Sequence, residues 1–125
     1  MRACVALLLV VVAGCFAAAA TATTAQVKVC GTVVGAEWVF PGTGGKVSGN
    51  KYGVLANGAS CAFAKKWVAT LSSKTLAGKK AGRSYPLAGG PPGYTCTANP
   101  DANGKVIAGA CKNGKKNYFT FGGRP

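Results

Sequence analysis

The sequence predicts an α+β domain, with one helix packed on a small antiparallel sheet and two disulfides stapling the whole. Three observations carry that reading. Helical periodicity occurs in a single stretch, 60–73. Runs rich in β-branched and aromatic residues flank it on both sides. Four cysteines remain once an apolar N-terminal segment is set aside: Cys30, Cys61, Cys96 and Cys111.

The elements follow in order along the chain. Met1-Arg2 is a short positive start, Ala3 to Ala13 is a continuous apolar run, and small residues continue to Ala25. That succession reads as a secretory signal peptide over 1–25, leaving one domain over 26–125. The apolar run is shorter than the ~20 residues of a membrane span. Ala20-x-Ala22 and Thr23-x-Ala25 both fit ordinary cleavage. Val12-Ala13-Gly14-Cys15 resembles a bacterial lipobox and makes Cys15 the candidate lipidation site. Bulky Phe16 and the lack of a polar tether favour ordinary cleavage, with a lipid anchor as the alternative. The chain is expected outside the cytoplasm, secreted or held at the cell surface, and any membrane contact would run through that anchor alone.

Residues 26–40 alternate loosely around Val27, Val29, Val33, Val34 and Trp38 and read as one or two strands. Pro41-Gly42-Thr43-Gly44-Gly45 reads as a turn, and residues 51–56 as a short strand ended by Asn57-Gly58. Ser60 is the expected N-cap of a helix over 61–73. Cys61, Ala64, Trp67, Val68 and Leu71 share one arc, so Trp67 is expected in the core. Residues 76–93, rich in Gly, Pro, Ala and Lys, read as a long irregular connection. Three strands are expected over 94–98, 106–111 and 117–121, the last two joined at Asn113-Gly114.

Ser60-Cys61-Ala62-x-Ala64 at the helix start, Gly93-Tyr94-x-Cys96, and Cys111-x-x-Gly114 before the strand from Tyr118 to Phe121 together resemble a small exported α+β domain of actinobacteria. Val29-Cys30-Gly31 is similar to the start of some members. The resemblance implies the architecture and an exported state; that family has no assigned activity, so no functional residue follows from it.

Composition excludes more than it offers. The 125 residues include no histidine, and Glu37 and Asp101 are the only acids. Triads, Cys-His dyads and His-containing zinc sites are therefore absent, as are the carboxylate clusters of calcium and two-metal chemistry. Cysteine intervals of 31, 35 and 15 residues do not fit paired C-x-x-C zinc spacing. They fit two disulfides, with three connectivities open. Among these we favour Cys61–Cys111 with Cys30–Cys96, since staples from helix to sheet close longer loops; sequential pairing is the rival. Gly42-Thr43-Gly44-Gly45-Lys46-Val47 fails as a phosphate loop, having Phe40 and Val47 where Gly and Ser/Thr are required. A Glu37–Asp101 glycosidase pair and a Ser-Lys dyad among Ser72, Ser73 and Lys74 have no supporting motif. No catalytic residue, metal or cofactor is expected.

Basicity is the functional lead. The chain holds 15 Lys+Arg, so the part after residue 25, lacking Arg2, keeps 14 against 2 acids, a net +12. Lys79, Lys80 and Arg83 form one cluster, and Lys112, Lys115 and Lys116 another, with Tyr118 and Phe119 beside it. Lysine outnumbers arginine 12 to 3, which suits diffuse attraction better than base-specific readout of nucleic acid. The expectation is a non-catalytic domain that binds an anionic envelope polymer or surface. The alternative is a secreted inhibitor of a protease or wall hydrolase, presenting residues 88–93 or 76–83.

Overall fold

A computed structural model of the chain describes residues 26–40 and 42–124; the segment expected to be a signal peptide, with the candidate lipidation site Cys15, lies outside them. β1 (Lys28–Trp38) and β2 (Gly49–Asn57) form a hairpin, followed by α1 (Cys61–Ser72). β3 (Tyr85–Leu87), β4 (Thr95–Pro100), β5 (Val106–Lys112) and β6 (Tyr118–Arg124) form a meander. The meander returns so that β6 pairs antiparallel with β2, giving one six-stranded sheet of order β1-β2-β6-β5-β4-β3. α1 packs on one face, chiefly against β1 and β2. The predicted fold class is therefore the observed one.

Local chemistry places the helix where the sequence does. Ser60 Oγ accepts the Phe63 N–H at 3.1 Å, satisfying one of the open donors of the first turn. Ala64, Val68 and Leu71 are buried, whereas Trp67 is only half-buried. It sits at the rim of the core, 6.4 Å from Phe63, because twelve residues of helix do not reach across six strands. The far half of the inner face is covered instead by Leu87, buried Pro91 and Tyr94, whose ring lies 6.0 Å from Phe119.

The disulfides correct the favoured pairing. They are sequential, Cys30–Cys61 and Cys96–Cys111. Cys30 sits at a bulge in β1, which turns its side chain inward towards the first residue of α1. Cys96 and Cys111 face each other directly across the β4–β5 ladder, so neither can reach a partner elsewhere. The segment 76–93 is also not wholly irregular. Its residues 85–87 pair with 96–98 as the edge strand β3, and Pro86 falls where no further strand has to be hydrogen-bonded. Residues 113–117 form the β5–β6 loop, closed by Asn113 N–H donating to the Asn117 carbonyl at 2.7 Å, longer than a two-residue turn.

Glycines inside the strands, rather than only in turns, shape the core. A Cβ on Gly49 would stand 2.6 Å from the Trp38 ring, and one on Gly123 2.7 Å from it. At Gly109 it would stand 2.6 Å from the Phe121 ring. Tyr52 is opposite Gly123, and Ala56 opposite Phe119, so large residues meet small ones along the β2–β6 seam. That alternation is how a thin two-layer domain fits Trp38, Tyr52 and Phe119, all fully buried, beneath one short helix.

Polar ties hold the same layer. The Tyr52 hydroxyl lies 3.0 Å from the carbonyls of both Ala36 and Val106, and its single proton serves one at a time. Asp101 is buried. Its Oδ1 accepts N–H bonds from Asn103 and Lys105, the local turn role its sequence context implies. Its Oδ2 reaches across the fold to the Val39 N–H at 2.9 Å, joining the end of β1 to the β4–β5 turn. Burial, and secondarily the Asp101 charge, push the Tyr52 phenol up to about 12.

Two outcomes follow. Gly123→Ala forces a methyl against an immobile indole and should lower unfolding free energy by about 1–3 kcal/mol. Adjacent Gly122→Ala faces the other side, where its nearest neighbour is the Ala108 Cβ at 3.9 Å. It should be neutral or stabilising by up to about 1 kcal/mol, as read from denaturant unfolding. The second concerns pH. With a folded-state value near 12 against about 10 unfolded, Tyr52 keeps its stabilising effect below pH ~10 and loses it as pH rises towards 12. The stability gap between the protein and Tyr52→Phe should therefore be constant through neutral pH and close by on the order of 2 kcal/mol between pH ~10 and ~12.

Candidate functional site

Among the described residues, none forms a layer over the face of the sheet opposite α1, and strand alternation sets what that face presents. Residues 52, 54 and 56 of β2 point inward with 119 and 121 of β6, so Lys51, Gly53 and Leu55 point outward with Tyr118, Thr120, Gly122 and Arg124. Register extends these positions into rows. Thr95, Lys112 and Tyr118 lie side by side across β4, β5 and β6. Thr97, Ala110, Thr120 and Leu55 form the next row, then Asn99, Ala108, Gly122 and Gly53. Lys51 and Arg124 are paired in the last row. The middle of the face is therefore mostly Thr, Ala and Gly, with Asn99 and exposed Leu55 at its margins, and cations stand at both ends.

Two shallow depressions lie on this surface and meet at Thr120. One, of about 730 Å³, is lined by Thr95, Lys112, Gly114, Lys115, Tyr118 and Thr120. The other, of about 430 Å³, runs over β1, β2 and β6 past Thr32, Gly53, Gly122 and Arg124. Every charged residue lining either is cationic: Lys112, Lys115 and Arg124. The absent side chain at Gly53 matters here. A Cβ there would stand 2.7 Å from the Arg124 Nε, so Gly53 is what lets that side chain lie back across the strands. Lys51 and Arg124 oppose each other as like charges on neighbouring strands, an arrangement that costs stability unless an anion comes between them.

The sequence-predicted clusters are not brought together. Lys112 and Lys115 share one depression, while exposed Lys116 is outside its lining and sits in the turn against Gly58. Lys79, Lys80 and Arg83 are exposed in the α1–β3 loop. That loop is anchored by Leu76 N–H to the Gly104 carbonyl, at the end of β4 and β5 remote from Lys112. Lys79 Nζ stands 5.3 Å from the centre of the Tyr85 ring, so its charge is partly engaged there. Sequence reasoning missed Lys51 and Arg124, which are far apart in the chain and meet only through the β2–β6 register. The outward run Tyr118, Thr120, Gly122, Arg124, alternating with inward Phe119 and Phe121, was the available signal.

The residues weighed for catalysis have other employment. Ser72 donates to the Ala69 carbonyl at 3.1 Å and Ser73 to the Thr70 carbonyl at 2.7 Å, each one turn back along the helix. Both Asp101 oxygens accept backbone N–H bonds inside the fold, and Glu37 is exposed. Among the described residues, no three of His, Cys, Asp and Glu come together as a metal-binding group, and no helix is long and apolar enough to cross a membrane. Two disulfides in a domain of this size are compatible with a location outside the cytoplasm. Neither a protein-family model nor a curated protein nor a solved structure matches this chain.

Proposed function

We propose that the protein is an exported, non-catalytic binding domain held by charge to anionic material of the cell envelope or its surroundings. The observation that carries this reading is the sheet face that no described residue covers, whose two depressions hold cationic residues and no acidic one. Of the two acids in the chain, Asp101 is buried and Glu37 lines neither depression, so nothing neutralises that field locally. A concentration of like charge with small side chains between is expensive in a monomer and useful to a ligand of opposite sign. Lysine supplies most of it, in keeping with attraction that tolerates many anion geometries. An inhibitory loop at 88–93 has less in its favour: Pro91 is buried and Gly90 is packed against the Cys96 sulfur, so the stretch is folded into the domain.

Retention of the purified domain on isolated cell walls tests the proposal. Raising salt from about 0.1 M to about 1 M shortens the screening length from roughly 10 to 3 Å and should release the bound protein almost completely. Retention that ignores salt, or no retention at the lower concentration, contradicts charge as the basis of binding.

A further inference from the structure

Resting on that reading, we infer that the outer sheet face is a track for one extended polyol-phosphate chain, running along β6 and clamped by a cation pair at each end. At one end stand Lys112 and Lys115, and at the other Lys51 and Arg124. Tyr118 and Arg124 mark the two ends of β6, six residue steps apart, or roughly 20 Å at strand rise. Between them the floor is Thr120 and Gly122, bordered by Ala108 and Ala110 of β5 and by Gly53 and exposed Leu55 of β2. Apart from Leu55, which offers apolar contact to the carbon backbone of a polyol, these residues are too small to hold a chain away, and Thr120 offers a hydroxyl donor midway.

The chemistry of the floor selects among polyanions. Sugar rings and nucleobases bind protein surfaces largely by stacking on aromatic faces. The two depressions present one outward aromatic, Tyr118, at the extreme end, and no platform along the track. A flexible chain of phosphodiesters and short polyols needs no platform. It needs point charges at intervals, hydroxyl donors and clearance, and those are what the face supplies. The paired like charges at Lys51 and Arg124 are relieved by a phosphate between them, which makes that end a second contact rather than a decoration.

Two clamps joined by one ligand predict a dependence on chain length that diffuse attraction does not. Once a chain engages one end, reaching the other becomes intramolecular, and affinity should step up when the chain is long enough to span the face. Poly(glycerol phosphate) fractionated by length is the probe, titrated by calorimetry at low salt. Chains spanning about 20 Å should bind about a hundredfold more tightly than those too short to do so. Lys51→Gln/Arg124→Gln and Lys112→Gln/Lys115→Gln should each abolish the step. Each should also lower the salt slope of binding by about one per cation removed. Lys79→Gln/Lys80→Gln/Arg83→Gln, an equal or larger loss of charge away from the face, should leave the step in place. A smooth length dependence, or equal losses from the loop and face variants, overturns the track while leaving charge-driven binding standing. No binding at any length at low salt overturns both. Tighter binding of a polyuronate or of single-stranded DNA at matched charge overturns the phosphodiester assignment. Circular dichroism of each variant confirms that its fold is intact.

Discussion

Trp38, Tyr52 and Phe121 occupy the inner face of the sheet only because the backbone opposite or beside them carries no side chain. Gly49 and Gly123 receive the indole, Gly123 also stands opposite Tyr52, and Gly109 receives Phe121. A six-stranded sheet would ordinarily call for two or more helices to bury it. Here twelve residues of helix suffice because the rings lie down on glycine and extend the covered area sideways. The same economy explains why the Cys96–Cys111 bridge and buried Pro91 stand where a second helix would. The sheet is held in one register by this pattern, since a shift of one residue along the β2–β6 seam would take Tyr52 away from Gly123 and turn one strand's apolar side chains to the outer face.

That register is also what makes the opposite face. Strand alternation couples the two sides: the pairing that sets Tyr52 against Gly123 necessarily sets Lys51 against Arg124 and Gly53 against Gly122. The core and the candidate site are thus two readings of one ladder. The edges of the sheet are blunted, by bulges in β1 and by the three-residue, proline-bearing β3, so the broad face is the more accessible surface for a partner.

Much of the fold was legible from local signals. Ser60 before an i, i+3, i+4 arc is a helix start in any context, and the alternation from Tyr118 to Phe121 is a strand whose inward side is plain. What escaped was set by distance in the chain. Strand β3 has three residues and a proline, too short for periodicity, and exists because Thr97 offers it a partner. The cysteine pairing turned on which strand lies beside which and on a bulge at Cys30, neither of which spacing encodes. Glycines 49, 109 and 123 act as sockets, a role visible only once an aromatic is placed over them. Of the cations on the proposed face, Lys112 and Lys115 are neighbours in the sequence, whereas the juxtaposition of Lys51 with Arg124 exists only through the β2–β6 seam.

The central claim is that one face of the sheet, and not the net charge of the molecule, does the binding. Amide chemical shifts of the labelled protein during titration with poly(glycerol phosphate) address it residue by residue. The account predicts that shifts concentrate at Gly53, Lys112, Thr120, Gly122 and Arg124, while Lys65 and Lys66 on the helix and Lys79 to Arg83 in the loop change little. Shifts spread evenly over every lysine-bearing segment, helix included, would contradict it.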